Sequence, residues 1–170
     1  MLDKFNLINS DAKVAFFLGL SEKVISKVSD SRNYSSLRAA LNKCWEWLEH
    51  KIIEPDDLYW YLENLDDTGI VTLMQLEEDD DVKIWICIAD ALAFTIRCAY
   101  EFKKDEYLPS TIEGVEVEET IEEFCNNFNA SLENAVYITD SYLNHLIENY
   151  PNSKEDRLSR EEVINILGLL

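Results

Sequence analysis

Apolar residues recur at three- and four-residue intervals along most of the chain, a spacing that predicts helix nearly throughout. A first segment carries Val14, Phe17, Leu18, Val24, Ile25 and Val28, with Ser10 placed to cap it. After SDSRNYSS, Leu37, Ala40, Leu41, Cys44 and Leu48 line one face of a second helix. Pro55 opens a third, with Leu58, Tyr61, Leu62 and Leu65 expected inward, and a short helix follows Gly69. A long apolar helix runs from about residue 80 to 104. The stretch YLPSTIEGVEVEE then interrupts the periodicity with Pro109 and Gly114 and leaves room for a short strand or turn at 115–117. Helices at about 117–129 and 131–149 come next. Pro151 ends the second of them, and Ser159-x-x-Glu162 has the spacing of a capping box.

The long helix organises this reading. Asp79, Asp80 and Asp81 precede it, where the helix dipole is positive, and Lys103 and Lys104 close it, where the dipole is negative. Lys83, Asp90, Arg97 and Glu101 fall within about 40° of one another at 100° per residue, a narrow polar stripe on an otherwise apolar cylinder. Interior charges argue against a membrane span. Asp90 and Arg97 could form a buried pair or a solvent strip; either is a structural role. The expected fold is all-α: one domain over residues 1–170, a bundle of about six to eight helices around the central helix.

Composition is consistent with this. Apolar residues make up 47% of 170, enough to build a core, and four Gly and three Pro are too few for a fold rich in tight turns. The start MLDKFNLINSDAK lacks the basic cluster and apolar run of a signal peptide, so a cytoplasmic location is expected. Cys44, Cys87, Cys98 and Cys125 form no C-x-x-C pair. Cys87 and Cys98 lie roughly 16 Å apart along one helix, beyond the reach of a disulfide, and buried free thiols are expected.

Charge changes the picture more. Thirty-four acids against fifteen bases give a net charge of −19. Residues 52–82 hold eleven carboxylates and no Lys or Arg, and residues 105–153 hold eleven more, again without a base. The rest of the chain is slightly basic, so two windows carry the whole negative field. Such a field favours solubility and steers cationic partners. In the first window Trp60 is expected to point outward among Asp56, Glu63 and Asp67, an aromatic ringed by acids as a hot spot for an Arg- and Lys-rich surface requires. Asp57, Asp66, Glu77, Glu78, Asp79 and Asp80 extend that surface. In the second window Val117, Ile121, Phe124 and Phe128 face inward while Glu118, Glu119, Glu122 and Glu123 do not. These fourteen residues are the candidate partner-binding set. Direct nucleic-acid binding is not expected, because phosphates would be repelled.

Chemistry motifs are sparse. There is no Gly-rich phosphate loop, no H-E-x-x-H and no G-x-S-x-G. With only His50 and His145, no histidine-rich metal centre can form. Residues 64–75, NLDDTGIVTLMQ, approach a calcium loop at Asp66 and Thr68, yet Asn64 opens it and Gln75 stands where a bidentate Glu is needed. No catalytic residue, cofactor or metal ligand is assigned.

The succession LRAALNKCWEWLE, LYWYLENLDDTG and IWICIADALAFTIRCAY resembles the all-helical immunity proteins of bacterial polymorphic toxin systems, most of all immunity protein family six. The resemblance runs over about residues 10–165. It implies a cytoplasmic protein that binds and neutralises a cognate toxin effector domain, with no cofactor and no catalytic residue. The expected mechanism is stoichiometric: acidic helices occlude the basic, substrate-binding surface of a toxin, here a nuclease. The alternatives are an acidic nucleic-acid mimic or scaffold for a basic host protein, and a carboxylate-dependent metal enzyme.

Overall fold

A computed structural model describes residues 1–77 and 79–169, apart from the side chains of Asp79 and Asp80. It is all-α. In chain order the helices are α1 (Leu2–Phe5), α2 (Ser10–Ile25), α3 (Tyr34–His50), α4 (Pro55–Leu62), α5 (Ile70–Met74), α6 (Asp79–Lys103), α7 (Ser110–Glu113), α8 (Val117–Ser131), α9 (Ala135–Asn149) and α10 (Arg160–Ile166). Among the described residues the extended backbone makes no strand, only one antiparallel bridge between Ile8 and Pro151. The turn expected at 115–117 is closed by Val115 N–H on the Ile112 carbonyl, and α8 begins at once.

Two helices, not one, occupy the centre. α6 packs against α8, α2, α4, α3 and α5, as its apolar circumference predicts. α2 is as deeply set: every residue from Val14 to Ser21 is buried, beneath α3, α6, α8, α9 and α10. Where they meet, Phe17 lies 4.7 Å from Phe94 of α6 and 4.9 Å from Phe124 of α8, ring centre to ring centre. Phe5 completes the cluster, 5.5 Å from Phe16 and 5.8 Å from Phe17. Four residues cannot hold a helix in water by themselves. α1 exists because Phe5, fully buried, plugs the end of this aromatic core.

The start of α2 corrects the sequence reading by one residue. Asn9, not Ser10, is the cap: its Oδ1 accepts from Ala12 N–H at 2.8 Å. Its Nδ2 donates to the Lys154 and Asp156 carbonyls, both at 3.1 Å, so one side chain starts α2 and fastens residues 154–156 across it. The capping box at Ser159 and Glu162 forms as expected.

Gly19 allows the close approach of α2 to its neighbours. A Cβ there would stand 2.6 Å from Val163 Cγ1 of α10 and 2.9 Å from the Tyr142 hydroxyl of α9. That hydroxyl donates to the Ala15 carbonyl at 3.0 Å and cannot retreat without leaving its acceptor. Gly19→Ala is therefore expected to lower stability by about 1–3 kcal/mol, despite the higher helix propensity of Ala. Urea unfolding checks this; an unchanged or raised midpoint would contradict the close packing of α2, α9 and α10.

Candidate acidic docking surfaces

α4 presents the first acidic surface. Pro55 sets its first turn, Asp56 and Asp57 sit at the positive end of its dipole, and Leu58 and Leu62 turn inward. Trp60 faces out, 48% exposed, with Tyr61 packed edge-on at 5.6 Å. Asp56, Asp57, Trp60 and Tyr61 line an open hollow of about 570 Å³ with Ile52, Ile53, Lys43 and Glu46. Lys43 is held by Glu46 at 2.6 Å. Asp56 also accepts a hydrogen bond from the Tyr100 hydroxyl of α6. Burial, then Asp56, pushes the pKa of that hydroxyl up, so it stays a donor.

The expected ring around Trp60 is only partly present. The helix stops at Leu62, so its periodicity cannot be carried on to Glu63 and Asp67. Glu63 is extended, and its Oε2 accepts from Tyr59 Oη at 2.7 Å and Thr111 Oγ1 at 3.1 Å, joining α4 to α7. Asn64 Oδ1 gathers the Asp66 and Thr68 amides at 3.0 and 3.1 Å, closing a turn in which Asp67 takes a positive φ of 56°. Leu65, expected in the core, lies in this turn and is fully exposed. Asp66 and Asp67 are exposed in the same turn. The turn leads directly into α5 at Ile70, which replaces the second half of the calcium-like loop with helix. Among the described residues no three His, Cys, Asp or Glu side chains are grouped to hold a metal.

Glu77 is committed inside the fold. Its Oε1 accepts from Ser31 Oγ at 2.9 Å and Asn33 Nδ2 at 3.1 Å, pinning the loop before α3. Glu78, and the side chains of Asp79 and Asp80, lie outside the described residues.

α8 carries the second surface as its periodicity predicts. Ile121, Phe124 and Phe128 are buried, and Glu118, Glu119, Glu122 and Glu123 are exposed. None of the four enters an ion pair among the described residues. Against the back of this helix lies Asp90 of α6, mostly buried, with Oδ2 lacking a hydrogen-bond partner among the described residues. Burial, and secondarily the charge of Glu123, pushes its pKa up to about 8. Asp90 and Arg97 do not pair, because seven residues separate them by roughly 10 Å along the axis. Arg97 instead binds Glu101, one turn on, at 3.0 Å, and the Val115 carbonyl. The four cysteines are free; burial pushes Cys44 and Cys98 up to about 12 and Cys125 up to about 11, so these thiols stay protonated and inert at neutral pH.

The family model described as Immunity protein Imm6 matches residues 12–131. The chain belongs to the Imm6 family. It is thus an immunity protein of a bacterial polymorphic toxin system, which binds a cognate toxin. The matched span of this Imm6 chain runs from the first turn of α2 to the last residue of α8, so it holds both acidic surfaces and omits α1, α9 and α10. No curated protein and no solved structure gives a significant match. No helix among the described residues is long and apolar enough to cross a membrane.

The sequence reading also missed a concavity. A cleft of about 640 Å³ opens between α1, the start of α2, the end of α3, the second half of α6 and the start of α8. Trp47, Phe94 and Phe102 are on its walls. Lys51 crosses it in a left-handed conformation, 3.7 Å above the Trp47 ring and 2.7 Å from Asp11. Burial lowers the pKa of that lysine, with Asp11 acting in the opposite direction.

Proposed function

We propose that this Imm6 protein neutralises a toxin whose effector domain has a basic, nucleic-acid-binding surface, by one-to-one occlusion through α4 and α8. The supporting observation is the row of four exposed glutamates on α8, none of which enters an ion pair among the described residues. Unpaired carboxylates on one rigid face repel each other and are relieved by a cationic partner, and they speed its encounter by steering. A nuclease must carry such a cationic surface to hold phosphates, and an acidic protein seated there excludes the substrate. On α4, Trp60 between Asp56 and Asp57 supplies an aromatic anchor of the kind that dominates binding energies. Both helices pack on α6, which holds them rigidly. The action is binding without chemistry, carried out in the cytoplasm where the toxin would reach nucleic acid.

The test is co-expression with the toxin gene adjacent to this one, followed by purification. Cells are expected to survive, the two proteins to elute as a 1:1 complex, and nuclease activity in vitro to fall linearly to zero at one equivalent. Inhibition far below one equivalent would make the protein a catalyst. Retention of nucleic-acid binding by the inhibited toxin would rule out occlusion.

A further inference from the structure

Asp56, Asp57, Trp60 and Tyr61 fall at i, i+1, i+4 and i+5 of α4, which places them on one broad face of the helix. With Lys43 and Glu46 of α3 and Ile52 and Ile53 of the connecting loop, they line the open hollow of about 570 Å³. Its apolar surface is free: Ile52 is 70% exposed and Trp60 48%. Among the described residues no ammonium or guanidinium stands over the Trp60 ring, whereas Lys51 already covers Trp47 in the cleft. Its charges are lopsided. Four charged side chains line it, three carboxylates against one ammonium. Lys43 and Glu46 satisfy each other at 2.6 Å, which leaves Asp56 and Asp57, neither in an ion pair among the described residues. At the end of α6, Lys103 is held by Glu54, and Lys104 is followed in the chain by Asp105 and Glu106. Asp56 is also held in place: the hydroxyl of buried Tyr100 donates to its Oδ1 and leaves Oδ2 to spare.

We infer that this hollow receives an arginine side chain of the toxin, with its guanidinium over the Trp60 ring and against Asp56 and Asp57, and its aliphatic stem along Ile52 and Ile53. The assignment rests on the immunity reading and deepens it, naming the side chain that α4 recognises. An arginine answers each feature of the hollow at once. Its stem is apolar and its head cationic, so it suits apolar walls edged by carboxylates. A planar guanidinium stacks on an indole while its N–H groups reach carboxylates beside the ring. A lysine ammonium, a more strongly hydrated point charge, does both less well. An acidic or phosphorylated side chain would meet two unpaired carboxylates, and an apolar one would strip them of water without replacing it. A surface built to hold phosphates, rich in arginine for that purpose, supplies the occupant.

Two measurements test this on the full chain. In the first, the capped tripeptides Gly-Arg-Gly, Gly-Lys-Gly and Gly-Leu-Gly are titrated into the isotopically labelled protein and followed by NMR. Shifts are expected at the Trp60 indole and the Ile52, Asp56 and Asp57 amides. The arginine peptide should bind roughly three- to tenfold tighter than the lysine peptide, and the leucine peptide most weakly. Shifts centred away from Trp60, or equal affinity for the arginine peptide and either of the others, would overturn the assignment. In the second, binding to the neighbouring toxin is measured for two double variants. Asp56→Asn with Asp57→Asn removes both charges and keeps an oxygen that accepts from Tyr100. Glu133→Gln with Glu148→Gln removes the same charge from exposed positions outside the hollow. The first pair is expected to weaken binding roughly tenfold or more, and the second by less than about twofold. Should the aspartate pair fail to fold, Asp57→Asn alone and the peptide contrast still decide the matter. Equal loss in both pairs would reduce the effect to overall charge and overturn the hollow as the seat. No loss in either pair would overturn it too, and leave immunity and the α8 surface standing. Failure of wild type to protect cells would overturn the immunity reading, and this assignment with it.

Discussion

Asp90→Asn is expected to be more stable than the wild type at pH 8 and above, by on the order of a few kcal/mol, and to lose that advantage towards pH 4. The cause is the position of Asp90 on α6, where Oδ2 has no hydrogen-bond partner among the described residues and Glu123 adds a like charge from α8. Its folded pKa is raised from 3.8 to about 8. Between those values the folded protein keeps a proton that the unfolded chain has lost, so folding takes up a proton. Stability then falls as pH rises. The contribution of Asp90 is most favourable below about pH 4, declines through the range up to about pH 8, and levels off once the folded carboxyl also ionises. Asparagine has nearly the same shape and never charges, so the variant escapes the decline. Urea unfolding of both proteins at pH 4, 6 and 8.5 measures the difference, with the other titrating groups common to both. Glu123→Gln, which removes only the secondary cause, should give a smaller gain with the same sign. Parallel stability curves for wild type and Asp90→Asn would show that Asp90 is hydrated and ordinary.

Helical periodicity carried most of the architecture, and the places where it failed have separate physical causes. α8 was readable because Ile121, Phe124 and Phe128 repeat at helical spacing over fifteen residues, and the same spacing put its glutamates outside. The capping box at Ser159 was readable because both partners lie within four residues. α1 was not, since four residues contain no period; only the burial of Phe5 beside Phe16 and Phe17 explains it. Asn9 and Ser10 are both good caps, and what decides between them is a pair of carbonyls some 145 residues away. Glu63, Asp67 and Leu65 were misplaced by a single error, extending α4 beyond Leu62. Glu77 has an acceptor role that depends on Ser31 and Asn33, which local pattern cannot bring to it. The cleft is the clearest case. Its walls come from α1, α2, α3, α6 and α8, and its aromatic residues were each accounted for as ordinary core. No linear signal separates a core tryptophan from one that also floors a cleft.

Substitutions on the two acidic surfaces are expected to act on different halves of the binding equilibrium. Reversing Glu118, Glu119, Glu122 and Glu123 to Lys converts an uncompensated negative face into a positive one. Association with the neighbouring toxin should then slow by roughly 10- to 1,000-fold at low salt, and its dependence on ionic strength should flatten or invert. Trp60→Ala keeps the field and removes the anchor. It should leave association nearly unchanged and speed dissociation about thirtyfold, the equivalent of about 2 kcal/mol. Trp60 is half exposed and none of the four glutamates has an ion-pair partner among the described residues, so both sets should melt close to the wild type. Relief of repulsion between neighbouring glutamates could even raise the midpoint slightly. Surface plasmon resonance at two salt concentrations separates the rates, and growth under toxin expression reads the consequence. Unaltered dissociation in Trp60→Ala would remove α4 from the interface and confine docking to α8. Unaltered association and salt dependence in the fourfold reversal would end the electrostatic account of docking, which rests on these four exposed glutamates.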